Sequence, residues 1–168
     1  MVRIEPITLA YLAGMIDADG YITVQRSQHK GRLYYGAKVG IAGTRREPHD
    51  LAASLWGGKV SCYHPSNGIH LPQFQWSRSG RAAAAIIAEL LPYLRIKSDQ
   101  AMVALQLDEH VNFGRSDDPY PWFGPDYDPT QLSNELFLEA KALNLRKPRG
   151  RNARLLDGDA TPARRAAE

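Results

Sequence analysis

The chain has 168 residues, 43% of them hydrophobic, a formal net charge of +3 and one cysteine, Cys62. That is enough apolar material for one core and too little chain for two full domains, and a single thiol excludes an internal disulfide framework or a paired-cysteine zinc site. No stretch reaches the eighteen or so apolar residues of a membrane span, and the N-terminal MVRIEPITL lacks the basic-then-apolar order of a secretion signal, so a cytoplasmic protein with no membrane partner is expected.

Residues 8–18 carry Leu9, Leu12, Ala13 and Ile16 at helical spacing, with Thr8 as the expected cap just after Pro6. After Gly20 the period changes to two: Ile22 and Val24 alternate with Tyr21, Thr23, Gln25 and Ser27, the pattern of a half-buried strand. The turn QHKG leads into a second strand over 32–42, where Ala37, Val39 and Ile41 alternate with Gly36, Lys38 and Gly40. Pro48 suits the first turn of a helix that stops at Trp56-Gly57-Gly58. Residues 59–64 and 70–77 read as a second hairpin, turning through Pro65-Ser66-Asn67-Gly68 and pointing Phe74 and Trp76 inward. Helices over 79–91 and 98–110 follow, separated by Pro92. Residues 112–129, with four prolines, four aspartates and five aromatics, are expected to be irregular, and a last helix over 129–145 precedes a tail carrying Arg146, Lys147, Arg149, Arg151 and Arg154. One domain is therefore expected over 1–147, and a basic, disordered tail over 148–168.

This order of elements predicts an α+β fold, with helices packed on one face of a four-stranded antiparallel sheet. The opposite face would present Tyr21, Thr23, Gln25, Ser27, Arg32, Tyr34, Lys38, Lys59, Ser61, Tyr63, Gln73 and Gln75. Hydrogen-bonding side chains dominate that set, and their chemistry suits a DNA major groove: Gln pairs with adenine, Lys and Arg with guanine, and Thr meets the thymine methyl. In the first helix Ala10, Gly14 and Ala18 repeat every four residues and leave one face with almost no bulk, so a second helix can approach backbone to backbone. Ala10, Ala13, Gly14 and Asp17 are the expected dimer-interface positions. Asp17 and Asp19 close that helix at its C-terminal end, where the macrodipole disfavours negative charge. Some positive group must compensate, and a divalent metal would do so. The histidines His29, His49, His64, His70 and His110 show no metal-ligand spacing.

Residues Leu12 to Gly20 spell LAGMIDADG, which resembles the signature of the LAGLIDADG homing endonucleases at eight of nine positions, with Met15 in place of Leu. Residues 91–101, LPYLRIKSDQA, resemble the same family's junction between its third and fourth helices. The resemblance, over roughly residues 8–147, implies the family's αββαββα core, a saddle-shaped sheet under helices, plus a C-terminal helix. It further implies a magnesium-dependent enzyme that makes a double-strand cut at one long DNA site, leaving short 3′ overhangs, and that is encoded in an intron or other mobile element. By the same resemblance, the Asp19 carboxylate and the Ala18 carbonyl are metal ligands. Lys97 corresponds to a basic residue at the edge of the active site, acting on the attacking water or the phosphate charge. The family's solvent-ordering polar residue after the second strand falls at Gly43, which leaves Thr44, Arg45, bulk solvent or the DNA to order water. Only one motif is present, so a homodimer on a near-palindromic double-stranded site is expected. The alternatives on this scaffold are a maturase that binds intron RNA and a catalytically silent DNA-binding regulator.

Overall fold

A computed structural model describes residues 4–65, 71–113 and 128–145. The chain opens with α1 (Pro6–Asp19), then β1 (Gly20–His29), β2 (Arg32–Gly43), α2 (Glu47–Trp56), β3 (Ser61–Tyr63), β4 (Gln73–Ser79), α3 (Arg81–Leu90), a 3-10 turn over Leu91–Tyr93, α4 (Ser98–Phe113) and α5 (Pro129–Leu145). The expected tail, most of the 112–129 stretch and the tip of the second hairpin lie outside the described residues.

Each element starts and stops for a local reason. Thr8 is not the cap of α1: the helix begins two residues earlier because Pro6 takes its first position, where a missing N–H costs nothing, and Glu5 precedes it without a side-chain cap. β1 and β2 are joined by Lys30 and Gly31, both at positive φ (48° and 79°), the two-residue turn whose twist matches that of the paired strands. Pro48 lies in the first turn of α2, and Gly57 and Gly58, at φ 70° and 97°, end it. The second hairpin is shorter than its pattern implied on one side, since β3 keeps only Ser61–Tyr63, while β4 runs on to Ser79.

The four strands form one antiparallel sheet in the order β1-β2-β4-β3. On one face Ile22, Val39, Ile41 and Trp76 are fully buried with Leu12 and Ile16 of α1 and Ile87 and Leu90 of α3. Val24 packs instead with Val103, Leu107, Leu136 and Ala140, a second cluster that seats α5 over α4 and β1. Polar ties fix α5 there: the Asn144 amide donates to the Ile22 carbonyl, and Asn134 accepts from Arg26 and from the Tyr35 hydroxyl. No described helix is long and apolar enough to cross a membrane.

Candidate active site and nucleic-acid interface

An α-helix leaves its last carbonyls without intrahelical partners, and α1 must also end in two acids. The chain solves this by a reciprocal clamp between α1 and the start of α4. The Lys97 ammonium, buried at 7% exposure, donates to the carbonyls of Ile16 (2.7 Å) and Asp17, placing a cation on the negative end of α1. In return, the Asp17 carboxylate, 6% exposed, accepts the backbone N–H groups of Arg95 (2.7 Å), Ile96 (3.1 Å) and Lys97 (2.9 Å). Four donors from the segment before α4 thus hold the end of α1, and the buried charges sit among charge-assisted hydrogen bonds.

This arrangement separates the two acids. Asp17 is spent inside its own subunit, so its place at the dimer interface is corrected: its carboxylate faces the α4 junction. Ala13 is corrected too, since it is fully buried in the monomer core. Lys97 meets helix carbonyls, and its ammonium acts as the cation that the end of α1 required. Asp19, by contrast, is exposed, and no described residue hydrogen-bonds or ion-pairs with its carboxylate. Gly20 donates its N–H to Met15 and Ile16, so these bonds and those of Lys97 stop short of the Ala18 carbonyl. A carboxylate and a carbonyl that are both unclaimed among the described residues form a donor pair that fits a hard divalent cation. Among the described residues no three His, Cys, Asp or Glu side chains converge as a metal cage.

The sheet register places the residues of the polar face. Partners across an antiparallel ladder share a face, and the pairs Thr23–Lys38, Gln25–Gly36, Ser27–Tyr34, Tyr63–Gln73 and Ser61–Gln75 extend one polar surface over all four strands. Arg32 continues it at the β1–β2 turn opposite His29. Lys59 precedes β3, exposed and outside the ladder. Tyr21 lies across the floor of this surface above Gly40, where an added methyl would come within 2.7 Å of the phenol ring, and the Lys38 ammonium stands 5.7 Å from the ring centre. The Tyr21 hydroxyl is buried there without a hydrogen-bond partner among the described residues. A groove of about 400 Å³ opens beside Ala42 and the residues Ser61, Tyr63, Gln73 and Gln75.

Solved structures share this architecture. The homing endonuclease I-CvuI in complex with its target superposes with a TM-score of 0.58 at 21% identity, covering 86% of this chain and 85% of that one. The chain has the LAGLIDADG homing endonuclease fold. An archaeal intron-encoded homing endonuclease, I-Vdi141I, complexed with DNA, matches with a TM-score of 0.53 at 11% identity over 84% of this chain and 99% of that one. The LAGLIDADG homing endonuclease I-SmaMI bound to cleaved DNA matches with a TM-score of 0.54 at 16% identity, with 99% of this chain lying on 52% of that one. Neither a family model nor a curated protein matches the sequence.

Within the LAGLIDADG fold, the motif helix therefore has three sides. Leu12, Ala13 and Ile16 enter the core, Asp17 grips α4, and Ile7, Ala10, Tyr11, Gly14 and Ala18 face out. One histidine, read in the sequence only as lacking metal-ligand spacing, turns out to be a core residue. His49 is fully buried, its Nδ1 2.8 Å from the Arg45 carbonyl. Its position on the same inward face of α2 as Ala52 was the signal available.

Proposed function

We propose that this chain is a homodimeric, site-specific DNA endonuclease that hydrolyses one phosphodiester in each strand of a long, near-palindromic site. The observation that carries the reading is Asp19: an exposed carboxylate, unengaged among the described residues, at the edge of a polar four-stranded face, on a helix whose Ile16 and Asp17 carbonyls and Asp17 carboxylate are already satisfied. Magnesium bound there would polarise the phosphate and favour the hydroxide form of water. Asp19 and the Ala18 carbonyl would hold it, with the same pair from a second copy completing the set. Lys97 and Asp17 hold the end of α1 rigid so that Asp19 projects in one direction. In the reaction a water oxygen bonds to phosphorus and one phosphorus–oxygen ester bond breaks, the departing sugar oxygen taking up the proton that the water gives up. Related folds were seen with DNA, one of them bound to cleaved DNA, which supports the same use of this scaffold.

The dimer follows from α1. The helix is apolar around most of its circumference apart from Thr8, Asp17 and Asp19, yet only part of it enters the core. Ile7 is 76% and Tyr11 49% exposed on the stripe that carries Gly14, where an added Cβ would meet nothing. Small residues let a second α1 approach closely across a two-fold axis, bringing the two Asp19 carboxylates together. Tyr21, Thr23, Gln25, Ser27, Arg32, Tyr34, Lys38, Lys59, Ser61, Tyr63, Gln73 and Gln75 would then read one half-site per subunit. A free, exposed Cys62 suits a reducing cytoplasm.

The test is cleavage of a plasmid library of randomised palindromic sites, with and without magnesium, beside Asp19→Asn. Magnesium-dependent linearisation that is lost in the variant is the expected result. Gly43, which offers no side chain at the end of β2, favours a silent regulator as the second reading. Specific binding without cutting would select that reading, and binding to intron RNA instead would select a maturase.

A further inference from the structure

Lys38 stands in the middle of the polar face among much shorter neighbours. On β2 the flanking residues of that face are Gly36 and Gly40, and across the ladders Lys38 pairs with Thr23 of β1 and Ser79 of β4. The Thr23 hydroxyl donates to the Val24 carbonyl (3.3 Å) and so turns back to its own strand. Arg32, at the β1–β2 turn, and Lys59, outside the ladder, are exposed, whereas Lys38 is half-buried. The difference comes from Tyr21. A Cβ built on Gly40 would lie 2.7 Å from both Cζ and Oη of Tyr21, so the phenol lies in the space that the missing side chain leaves. Its hydroxyl is buried there with no hydrogen-bond partner among the described residues, and a hydroxyl closed in at that depth makes no contact with a ligand laid on the sheet. What Tyr21 offers is its ring. Tyr21 pairs with Gly40 and Lys38 with Thr23, so the two are diagonal neighbours, and the Lys38 ammonium stands over the ring 5.7 Å from its centre, within cation–π range. That ammonium has no carboxylate or carbonyl partner among the described residues.

We infer that Lys38 is a specificity-determining residue that reads the O6 and N7 edge of one guanine in each half-site, and that Tyr21 is a positioning residue which acts through Lys38 and makes no base contact with its hydroxyl. The inference rests on the reading of this face as the DNA-recognition surface of a site-specific nuclease. An ammonium carries donors only, and in the major groove guanine presents two adjacent acceptors where cytosine presents a donor. Glycine on either side of Lys38 and the short Thr23 and Ser79 across from it let a base-pair edge come down onto this one side chain. A ring set in the Gly40 notch restricts the lysine before DNA arrives, so less side-chain freedom is lost on binding. Arg32 and Lys59, exposed at the turn and at the end of the sheet, are left to the phosphates.

The experiment retains randomised palindromic duplexes on the full chain in EDTA and sequences them, for wild type, Lys38→Met, Tyr21→Leu, Tyr21→Phe and the double variant of Lys38→Met with Tyr21→Leu. Wild type should prefer guanine at one position of each half-site. Met keeps the stem and removes the charge, and should lower that preference on the order of 10- to 100-fold while the other positions hold. Tyr21→Leu should lower the same preference about 2- to 5-fold. Tyr21→Phe should restore it, because the ring and not the hydroxyl supports the ammonium. The double variant should lose no more than Lys38→Met alone, since no charge is left to misplace. Tyr21→Phe also removes a buried unpaired hydroxyl, so its Tm should hold or rise. A Lys38→Met loss spread evenly over all positions, a Tyr21→Phe profile as relaxed as that of Tyr21→Leu, or additive losses in the double variant would overturn the inference and leave the nuclease reading intact. Retention in EDTA needs no catalysis, so duplexes that are selected yet not cut when magnesium is added would overturn the nuclease reading alone. Retention with no sequence preference would overturn both.

Discussion

Asp17 and Asp19 stand two residues apart in one motif, and their substitution should move stability in opposite directions. Asp17→Ala removes a buried carboxylate that accepts three backbone N–H groups at 2.7, 3.1 and 2.9 Å. Arg95 and Ile96 are exposed, so their N–H groups can turn to water, at a loss of about 1 kcal/mol each. Lys97 is buried, and its stranded N–H adds about 2 kcal/mol of desolvation. The total, about 4 kcal/mol, corresponds to a Tm lower by roughly 8–16 °C for a domain of this size. Asp17→Asn should recover only part of that, because Oδ2 serves two of the N–H groups and Oδ1 the third, and an amide offers a single oxygen. Asp19→Asn removes an unengaged acid from the negative end of a helix, and should be neutral or stabilising by a few tenths of a kcal/mol. Urea and thermal unfolding of the three variants at neutral pH measure all of this. An Asp17→Ala variant that loses less than about 1 kcal/mol, or an Asp19→Asn variant that loses as much as Asp17→Ala, would refute the division of labour between the two acids.

Lys97→Met keeps the aliphatic stem and removes the cation from the Ile16 and Asp17 carbonyls, with an expected cost of about 2–4 kcal/mol in urea unfolding. Gly40→Ala brings a methyl within 2.7 Å of the Tyr21 ring and 2.8 Å of the Trp76 carbonyl oxygen. The ring can swing away and the carbonyl of a paired strand cannot, so a loss of about 1–3 kcal/mol is expected even in a Tyr21→Ala background. Replacing Lys38 and Arg32 by Gln should reduce the slope of log affinity against log salt by about one for each phosphate that is no longer neutralised, read by titration of the cut duplex at several salt concentrations. Gly14→Leu, at an exposed position where an added Cβ meets nothing within 4 Å, should leave the monomer folded and abolish the dimer in sedimentation and the cleavage with it.

Periodicity alone was enough to read much of this protein. Ile22, Val24, Val39 and Ile41 alternate inward because a strand has only two faces, and Gly57-Gly58 stop α2 because positive φ excludes most side chains. The polar composition of the opposite face follows from the same alternation and was legible in full for the paired strands. The motif's second acid stands out in the sequence because a carboxylate at a helix C-terminus meets the unfavourable end of the macrodipole. The fate of the first acid was not legible. Its partners lie about eighty residues away, at Arg95, Ile96 and Lys97, and no local pattern states which distant N–H groups will arrive at a helix end. The same holds for Ala13, whose small side chain reads equally as a contact between subunits or as core until the sheet and α3 are placed against α1. It holds again for His49, an ordinary helix residue in sequence. Only the packing of α2 against β4 buries its ring beside Phe74 and leaves its Nε2 without a partner among the described residues. Local sequence decides φ, ψ and face, which are properties of neighbours along the chain. The pairing of buried polar groups is a property of neighbours in space, and tertiary structure decided it.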